Sequence, residues 1–171
     1  MTVAVVILNW NGKKMLQRFL PEIVLHSKEA SIYVIDNNSS DDSIAFIKNE
    51  FPNVKRVVNP DNLGYAGGYN LGLKGIKEDI LCLINNDVRV TKNWLTPIID
   101  FFKSNPNTQA AQPHILDENQ PTKFEYAGAA GGYIDRFGYP FCRGRIFDTL
   151  EEDKGQYDGN EAVFWASGAC L

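Results

Sequence analysis

Four times in its first half the chain runs through a β-branched, apolar-rich stretch and stops at asparagine or aspartate. Val3 to Leu8 stops at Asn9-Trp10-Asn11-Gly12, and Ser31 to Ile35 stops at Asp36-Asn37-Asn38. Val54 to Val58 stops at Asn59-Pro60-Asp61-Asn62, and Asp79 to Ile84 stops at Asn85-Asn86-Asp87. A strand buried on both faces reads as such a run rather than as an alternating one. Between the runs the apolar spacing is helical: Leu16, Phe19, Leu20 and Ile23, then Ile44, Ile47 and Phe51, and later Trp94, Leu95, Ile98, Ile99 and Phe102. Pro21 predicts a kink or restart in the first helix. A small-residue helix is expected from about Tyr65 to Lys74, and a fifth strand over Ala110 to Leu116. Alternating elements with short connections predict an α/β fold, a three-layer α/β/α arrangement around a mainly parallel central sheet.

Beyond Asp117 the pattern changes. Glu125 to Tyr139 holds Gly128, Gly131, Gly132 and Gly138 and reads as turns, a hairpin or a loop. Asp148 to Asn160 is acidic and polar, and Glu161 to Leu171 is apolar again. The sequence is expected to form one domain over residues 1–171, and its end inside an apolar stretch predicts a piece of a longer protein.

Composition narrows the function. With 171 residues, 44% of them hydrophobic, the chain can bury a core and is not intrinsically disordered. Seventeen basic against 21 acidic residues leave a net charge of −4, a poor match for bulk nucleic acid or an anionic membrane, though a local anion site remains open. No apolar stretch approaches the roughly 20 residues of a membrane span. No signal peptide is evident, and Cys82, Cys142 and Cys170 read as buried free thiols of a reducing compartment.

In open parallel α/β sheets, ligands bind beyond the carboxyl ends of the strands, so the four polar stops are expected to share one rim. Asp36 at that rim could accept from a pyrimidine ring N–H or a ribose hydroxyl, or could equally close a turn or cap a helix. The Asp36 to Ile47 stretch lacks the sixth-position Gly and twelfth-position Glu of a calcium loop. The glycines from Gly64 to Gly72 imply close backbone approach to a neighbouring element or a ligand, with Asn70 placed to bond inward. Asp87 could hold Mg²⁺ or Mn²⁺, ions that commonly take one or two carboxylates plus substrate phosphate oxygens, or could cap the following helix. The chain has no G-x-G-x-x-G after its first strand, no G-x-x-x-x-G-K-[ST] and no G-x-S-x-G. His26 and His114 have no partner at ligand or triad spacing and read as structural or surface residues.

Taken in order, five segments resemble glycosyltransferase family 2, inverting enzymes with a GT-A-type fold. They are Val5 to Gly12, Val34 to Asp41, Asn59-x-x-Asn62-x-Gly64 leading to Asn70-x-Gly72, Leu83 to Val88, and Phe164 to Ala169. Their wording is closest to the rhamnosyltransferase-like bacterial branch. The resemblance implies that Asp36 binds the pyrimidine of a nucleotide-sugar and that Leu8, Asn9 and Asn11 line the base pocket. It implies that Asn38, Asn62, Gly64, Asn70, Asn85 and Asn86 complete the nucleotide-sugar site. Asp87 becomes the metal-binding acid of the D-x-D motif, whose first acid here is Asn85, and Mg²⁺ or Mn²⁺ the cofactor. Trp165, Ser167 and Gly168 would belong to the wall for the acceptor and donor sugar.

The family's catalytic base lies after the Ser-Gly-Ala segment, so it is expected beyond Leu171; no motif assigns that role to Glu125, Asp135 or Glu161. The implied activity is transfer, with inversion, from a dTDP- or UDP-sugar to a hydroxyl of a saccharide or lipid-linked acceptor in bacterial surface polysaccharide synthesis. A non-catalytic nucleotide-sugar-binding module on the same scaffold is the alternative. No nucleic acid partner is expected. The implied location is the cytoplasm, with the whole protein peripheral at the inner membrane face.

Overall fold

The computed structural model describes residues 1–126 and 128–171. They fall into two compact units, Met1–Asn107 and Thr108–Leu171.

The first unit alternates strand and helix: β1 (Val3–Asn9), α1 (Lys13–His26), β2 (Ser31–Asp36), α2 (Ser43–Glu50), β3 (Lys55–Val58), α3 (Gly64–Gly72), β4 (Ile80–Asn85) and α4 (Leu95–Ser104). A short 3₁₀ helix, Leu73–Gly75, extends α3. The strands form one parallel sheet in the order β3-β2-β1-β4. Asn9 stands opposite Asp36, Asp36 opposite Val58, and Leu8 opposite Asn85, so the polar stops come into line at one edge.

Side chains alternate between the sheet's faces. On one, Ala4, Val6 and Ile35 pack with Tyr69 of α3 and with Ile76. Gly72 makes this closeness possible: an added Cβ would lie 2.5 Å from Cγ2 of Ile35. Tyr69 keeps its hydroxyl in the core by donating to the carbonyl of Ile84 at 3.2 Å. On the other face Val5, Ile7, Val34 and Ile84 are fully buried. The buried stripes of α1 (Leu16, Phe19, Leu20, Ile23), α2 (Ile47) and α4 (Leu95, Ile99) supply the third layer. The expected three-layer α/β/α arrangement around a parallel sheet is therefore the observed one.

No restart occurs at Pro21, through which helix α1 is continuous, and two further local expectations are corrected. Pro21 cannot donate to the carbonyl of Gln17, but both residues are exposed, so water can take that bond. Residues 110–116 form no strand of the parallel sheet. Pro113 lacks an N–H, and the Ile115 N–H donates to Ala129 while its carbonyl accepts from Glu125, both within the second unit. Asn70 is exposed rather than inward, because Gly68, Tyr69 and Gly72 occupy the buried face of α3.

The second unit is built on an antiparallel sheet, β5 (Gly132–Ile134), β6 (Pro140–Cys142), β7 (Arg145–Ile146) and β8 (Thr149–Leu150), paired in chain order. Its core is Phe124, Ala129, Ala130 and Cys142, flanked by Tyr157 and Trp165. All three cysteines are buried and outside any disulfide, as expected, and burial pushes the Cys142 thiol above its usual pKa. Among the described residues no helix is long and apolar enough to cross a membrane.

Candidate functional site

A strand that ends at an amide or carboxylate leaves that group where no sheet partner remains. Such groups pair with one another or with loop backbone, since burying them unpaired costs about 1–3 kcal/mol each. At the carboxyl ends of these strands they pair with one another. Asn9 is completely buried, and its Nδ2 donates to Oδ1 of Asp36 at 3.0 Å and to Oγ of Ser39 at 3.3 Å. From β4, Asn86 Nδ2 donates to Asn9 Oδ1 at 3.1 Å. Gly12 leaves room for this, because a Cβ there would collide with both Asn9 and Asn86.

Asp36 is 1% exposed. Besides the Asn9 bond, its carboxylate accepts from the Ser39 hydroxyl at 2.6 Å and the Ser39 N–H at 2.8 Å. This is the turn-closing role foreseen as one of its two options. Oδ1 receives two of these bonds and Oδ2 one.

A second amide cluster joins β2 to the loop before α3. Asn37 donates to Asn62 Oδ1 at 2.8 Å and to the Gly64 carbonyl at 3.0 Å. It accepts from Asn59 Nδ2 at 3.1 Å and from the Leu63 N–H at 3.3 Å. Two donors and two acceptors are all that an amide side chain offers. Asn37 and Asn59 are both buried; the sequence marks them as part of the polar stops but assigns them no site role, because a turn asparagine reads alike whether exposed or buried.

Asp41 binds the starts of two helices. Its carboxylate accepts from the Lys13 N–H at 3.0 Å and from the Ser43 N–H at 3.0 Å, and also bonds the Ser43 hydroxyl. Burial pushes its pKa up, but the Ser43 and Lys13 hydrogen bonds and the Lys13 charge outweigh burial and hold it below the usual value.

Around this buried network stand exposed groups. Asn11 is exposed at φ +49°, and its Oδ1 accepts from the Ser40 N–H at 2.7 Å. Asn38 is exposed at φ +62°, the left-handed region that asparagine tolerates. Asn62, Gly64 and Asn70 are exposed, whereas Leu8, Asn85 and Asn86 are half-buried. Asp87 is exposed, one residue beyond the amide that reaches Asn9. Neighbouring strands lie about 4.8 Å apart, so β2 and β4, on either side of β1, place Asp36 and Asn86 on backbones roughly 10 Å apart. The described residues contain no cluster of three His, Cys, Asp or Glu side chains that could hold a metal ion. A lone hard carboxylate fits an ion that shares its ligands with a phosphorylated substrate.

The three predicted residues of the second unit are placed within that unit. Trp165 is half-buried and donates from Nε1 to the Tyr133 carbonyl at 2.9 Å. Ser167 is buried, receives Ala169 N–H on Oγ at 3.1 Å, and donates its own N–H to Gln112 at 2.6 Å. Gly168 is exposed.

An open cavity of about 610 Å³ lies at the other edge of the parallel sheet, lined by Ser31, Tyr33, Lys55 and Glu78 among others. Its central charges are mutually satisfied: Lys55 bonds Tyr33 at 2.8 Å and pairs with Glu78 at 3.4 Å. Tyr33 itself donates to Glu78 at 2.9 Å. The chemistry-bearing residues lie at the opposite edge.

Comparison with known proteins agrees with this geometry. Two curated relatives, both named N-acetylglucosaminyl-diphospho-decaprenol L-rhamnosyltransferase, come from two strains of Mycobacterium tuberculosis. Each is 23% identical over 182 aligned positions, covering 98% of this chain and 59% of the relative's length. Among solved structures, S. aureus TarS residues 1–349 matches with a TM-score of 0.55 at 18% identity, over 69% of this chain and 40% of that one. TarS is also known in complex with UDP and with UDP-GlcNAc. The mannosyltransferase PcManGT from Pyrobaculum calidifontis, in complex with GDP-Man and Mn²⁺, matches at 0.54 and 14%, over 67% and 35%. At such identities the solved structures speak for the fold. The Glycosyl transferase family 2 model matches residues 4–158, a span that holds all of the parallel sheet but Val3, with its amide edge, and the chain belongs to that family.

Proposed function

We propose that this chain is the donor-binding part of a glycosyltransferase that takes a sugar from a pyrimidine nucleotide, dTDP or UDP, to a hydroxyl of a saccharide or lipid-linked acceptor. The observation that carries this reading is the pair of amide and carboxylate clusters across the strand ends, with Asp87 exposed beside the first. The name of the curated relatives, an L-rhamnosyltransferase for N-acetylglucosaminyl-diphospho-decaprenol, supports a lipid-linked acceptor, and the reading places the transfer in bacterial surface polysaccharide synthesis.

In this reading the exposed amides of Asn11, Asn38 and Asn62 meet the nucleotide first, with Leu8 and Asn9 beneath them and Gly64 and Asn70 alongside. A pyrimidine ring N–H takes the second acceptor position of Asp36 Oδ2. Because Asp36 is 1% exposed, that contact requires outward movement of the turn at residues 38–41. Asn85 and Asn86 bond the ribose and diphosphate edge. Asp87 holds Mg²⁺ or Mn²⁺, which supplies positive charge to offset the leaving diphosphate. Transfer with inversion needs one in-line attack by the acceptor hydroxyl and a carboxylate to remove its proton.

Within these residues Asp135 is engaged by turn N–H groups and Glu161 by Arg143. The family resemblance puts the base after the Ser-Gly-Ala segment, hence beyond Leu171; the chain spans 59% of the curated relatives' length. Trp165, Ser167 and Gly168 belong to the acceptor side, and the whole protein works in the cytoplasm at the membrane face.

Titration calorimetry of the chain with UDP, dTDP and GDP, with and without Mn²⁺, tests the reading. Pyrimidine nucleotides should bind more tightly than GDP, and Mn²⁺ should strengthen binding. Asp87→Ala should abolish the Mn²⁺-dependent part and leave the thermal transition unchanged. Absence of nucleotide binding, or Mn²⁺ dependence that survives Asp87→Ala, overturns it.

A further inference from the structure

The turn that covers Asp36 is held shut by contacts from two loops. Ser39 donates its hydroxyl to Asp36 Oδ1 at 2.6 Å and its N–H to Oδ2 at 2.8 Å. The loop after β1 closes on the same turn from outside. There the Asn11 N–H donates to Ser39 Oγ at 2.9 Å. Asn11 Oδ1 accepts from the Ser40 N–H at 2.7 Å, and from the Ser40 hydroxyl and the Asp41 N–H at 3.3 Å each. The turn is anchored at both ends by other groups. Asn37 is fixed by the second amide cluster, and the Asp41 carboxylate by the N–H groups that start α1 and α2. Between these anchors Asn38 and Ser40 are exposed, and the hydrogen bonds of Ser39 and Ser40 run to Asp36, Asn9 and Asn11.

Ser39 gives Asp36 the donors that a ligand would otherwise supply. A uracil or thymine ring presents one N–H between two carbonyls. The N–H suits the carboxylate, and a carbonyl suits the exposed amide of Asn11, whose Nδ2 is a donor. Cytosine has a bare ring nitrogen at that place, which a carboxylate does not accept. Lifting the turn releases the Ser39 hydroxyl and N–H from Asp36 and breaks the Asn11 contacts with it, so the two loops open together. When only a fraction of the molecules is open, the apparent affinity falls by that fraction.

We propose that Ser39 and Asn11 form a latch that holds the donor site closed against nucleotide, and that a base with a ring N–H, uracil or thymine but not cytosine, releases it. The latch rests on the donor-site reading above, with Ser39 standing where the base comes to bind.

Stopped-flow mixing of the 171-residue chain with UDP and Mn²⁺ tests the inference. Tryptophan fluorescence follows it, since Trp10 lies between Asn9 and Asn11 and is 56% exposed. The observed rate should level off as UDP rises, at the rate of latch opening. Ser39→Ala removes two bonds of the closed latch, so it should lower the melting temperature yet bind UDP about fivefold more tightly and raise the rate ceiling. Asn11→Gly keeps the left-handed backbone and should also raise the ceiling, whatever contact to the base it loses. A purely structural Ser39 would instead leave UDP binding unchanged or weaker. In the unaltered chain, amide hydrogen exchange at Ser39 and Ser40 should speed up on saturation with UDP or dTDP, and not with CDP. Slower Ser39 exchange with UDP, equal acceleration by CDP, or UDP binding that Ser39→Ala fails to tighten overturns the latch. So does a rate that stays proportional to UDP concentration with one slope for all three chains. Calorimetry separates the two proposals: UDP binding without these signatures overturns the latch alone, and no UDP binding overturns the donor-site reading beneath it.

Discussion

Asn9 and Asp36 are register partners across β1 and β2, both buried, and the amide of one donates to the carboxylate of the other at 3.0 Å. This bond ties two strand ends together beneath the candidate donor site. Asn9→Asp replaces the donor with a second carboxylate facing the first. An uncompensated buried charge costs about 3–5 kcal/mol, and two adjacent carboxylates avoid it by sharing a proton. The variant should therefore lose about that much stability at neutral pH and recover part of it near pH 5. Urea unfolding at the two pH values checks this.

Asn37 uses all four of its hydrogen-bonding positions, so no substitution reproduces it. Asn37→Asp keeps the acceptors for Asn59 and Leu63 but sets carboxylate oxygens against Asn62 Oδ1 and the Gly64 carbonyl. The expected loss is about 2–4 kcal/mol, two broken bonds at 1–2 each. The effect should concentrate in the loop before α3. Amide hydrogen exchange at Leu63 and Gly64 should accelerate more than exchange in β1.

Asp41 gives acid sensitivity with a defined sign. Its folded pKa lies below its unfolded value, so it stabilises the fold above that unfolded value, about 3.9, and the contribution is lost as pH falls through the folded pKa. Asp41→Ala removes the acceptor at the starts of α1 and α2 and should cost about 1–2 kcal/mol at pH 7. The gap between wild type and variant should hold from pH 7 to pH 5 and close below pH 4. Thermal melting across that range measures it.

The parallel sheet was legible because buried strands leave an unambiguous signature, a β-branched run with a polar stop. The rule that ligands gather beyond strand ends then located Asn9, Asp36 and Asn86 at one edge, where they are linked. Asn37 and Asn59 escaped because their importance lies in burial, which depends on how α3 lies on the sheet. Asn70 was misread because the glycine pattern fixes how close α3 comes, whereas Tyr69 fixes which side turns inward. Residues 110–116 have strand-like composition, but a strand requires an unpaired neighbour, and theirs is the glycine-rich segment rather than the parallel sheet.

Two glycines close together in sequence should respond in opposite directions to alanine. At Gly72 the new Cβ meets three atoms of Ile35, at 2.5, 2.6 and 2.8 Å, in the packed layer between α3 and the sheet. Overpacking of this kind costs about 1–3 kcal/mol, which outweighs the roughly 1 kcal/mol that alanine gains in a helix. At Gly75 a Cβ meets nothing within 4 Å, and the residue is not among those at positive φ. There alanine only restricts the unfolded chain, so Gly75→Ala should stabilise by about 0.4–1 kcal/mol. Ile35→Val removes Cδ1, one of the three atoms met at Gly72. Combined with Gly72→Ala it should cost less than the two single changes together, whereas combined with Gly75→Ala it should be additive. Urea unfolding of the two cycles measures both couplings. Additivity in both would mean that α3 does not press on Ile35.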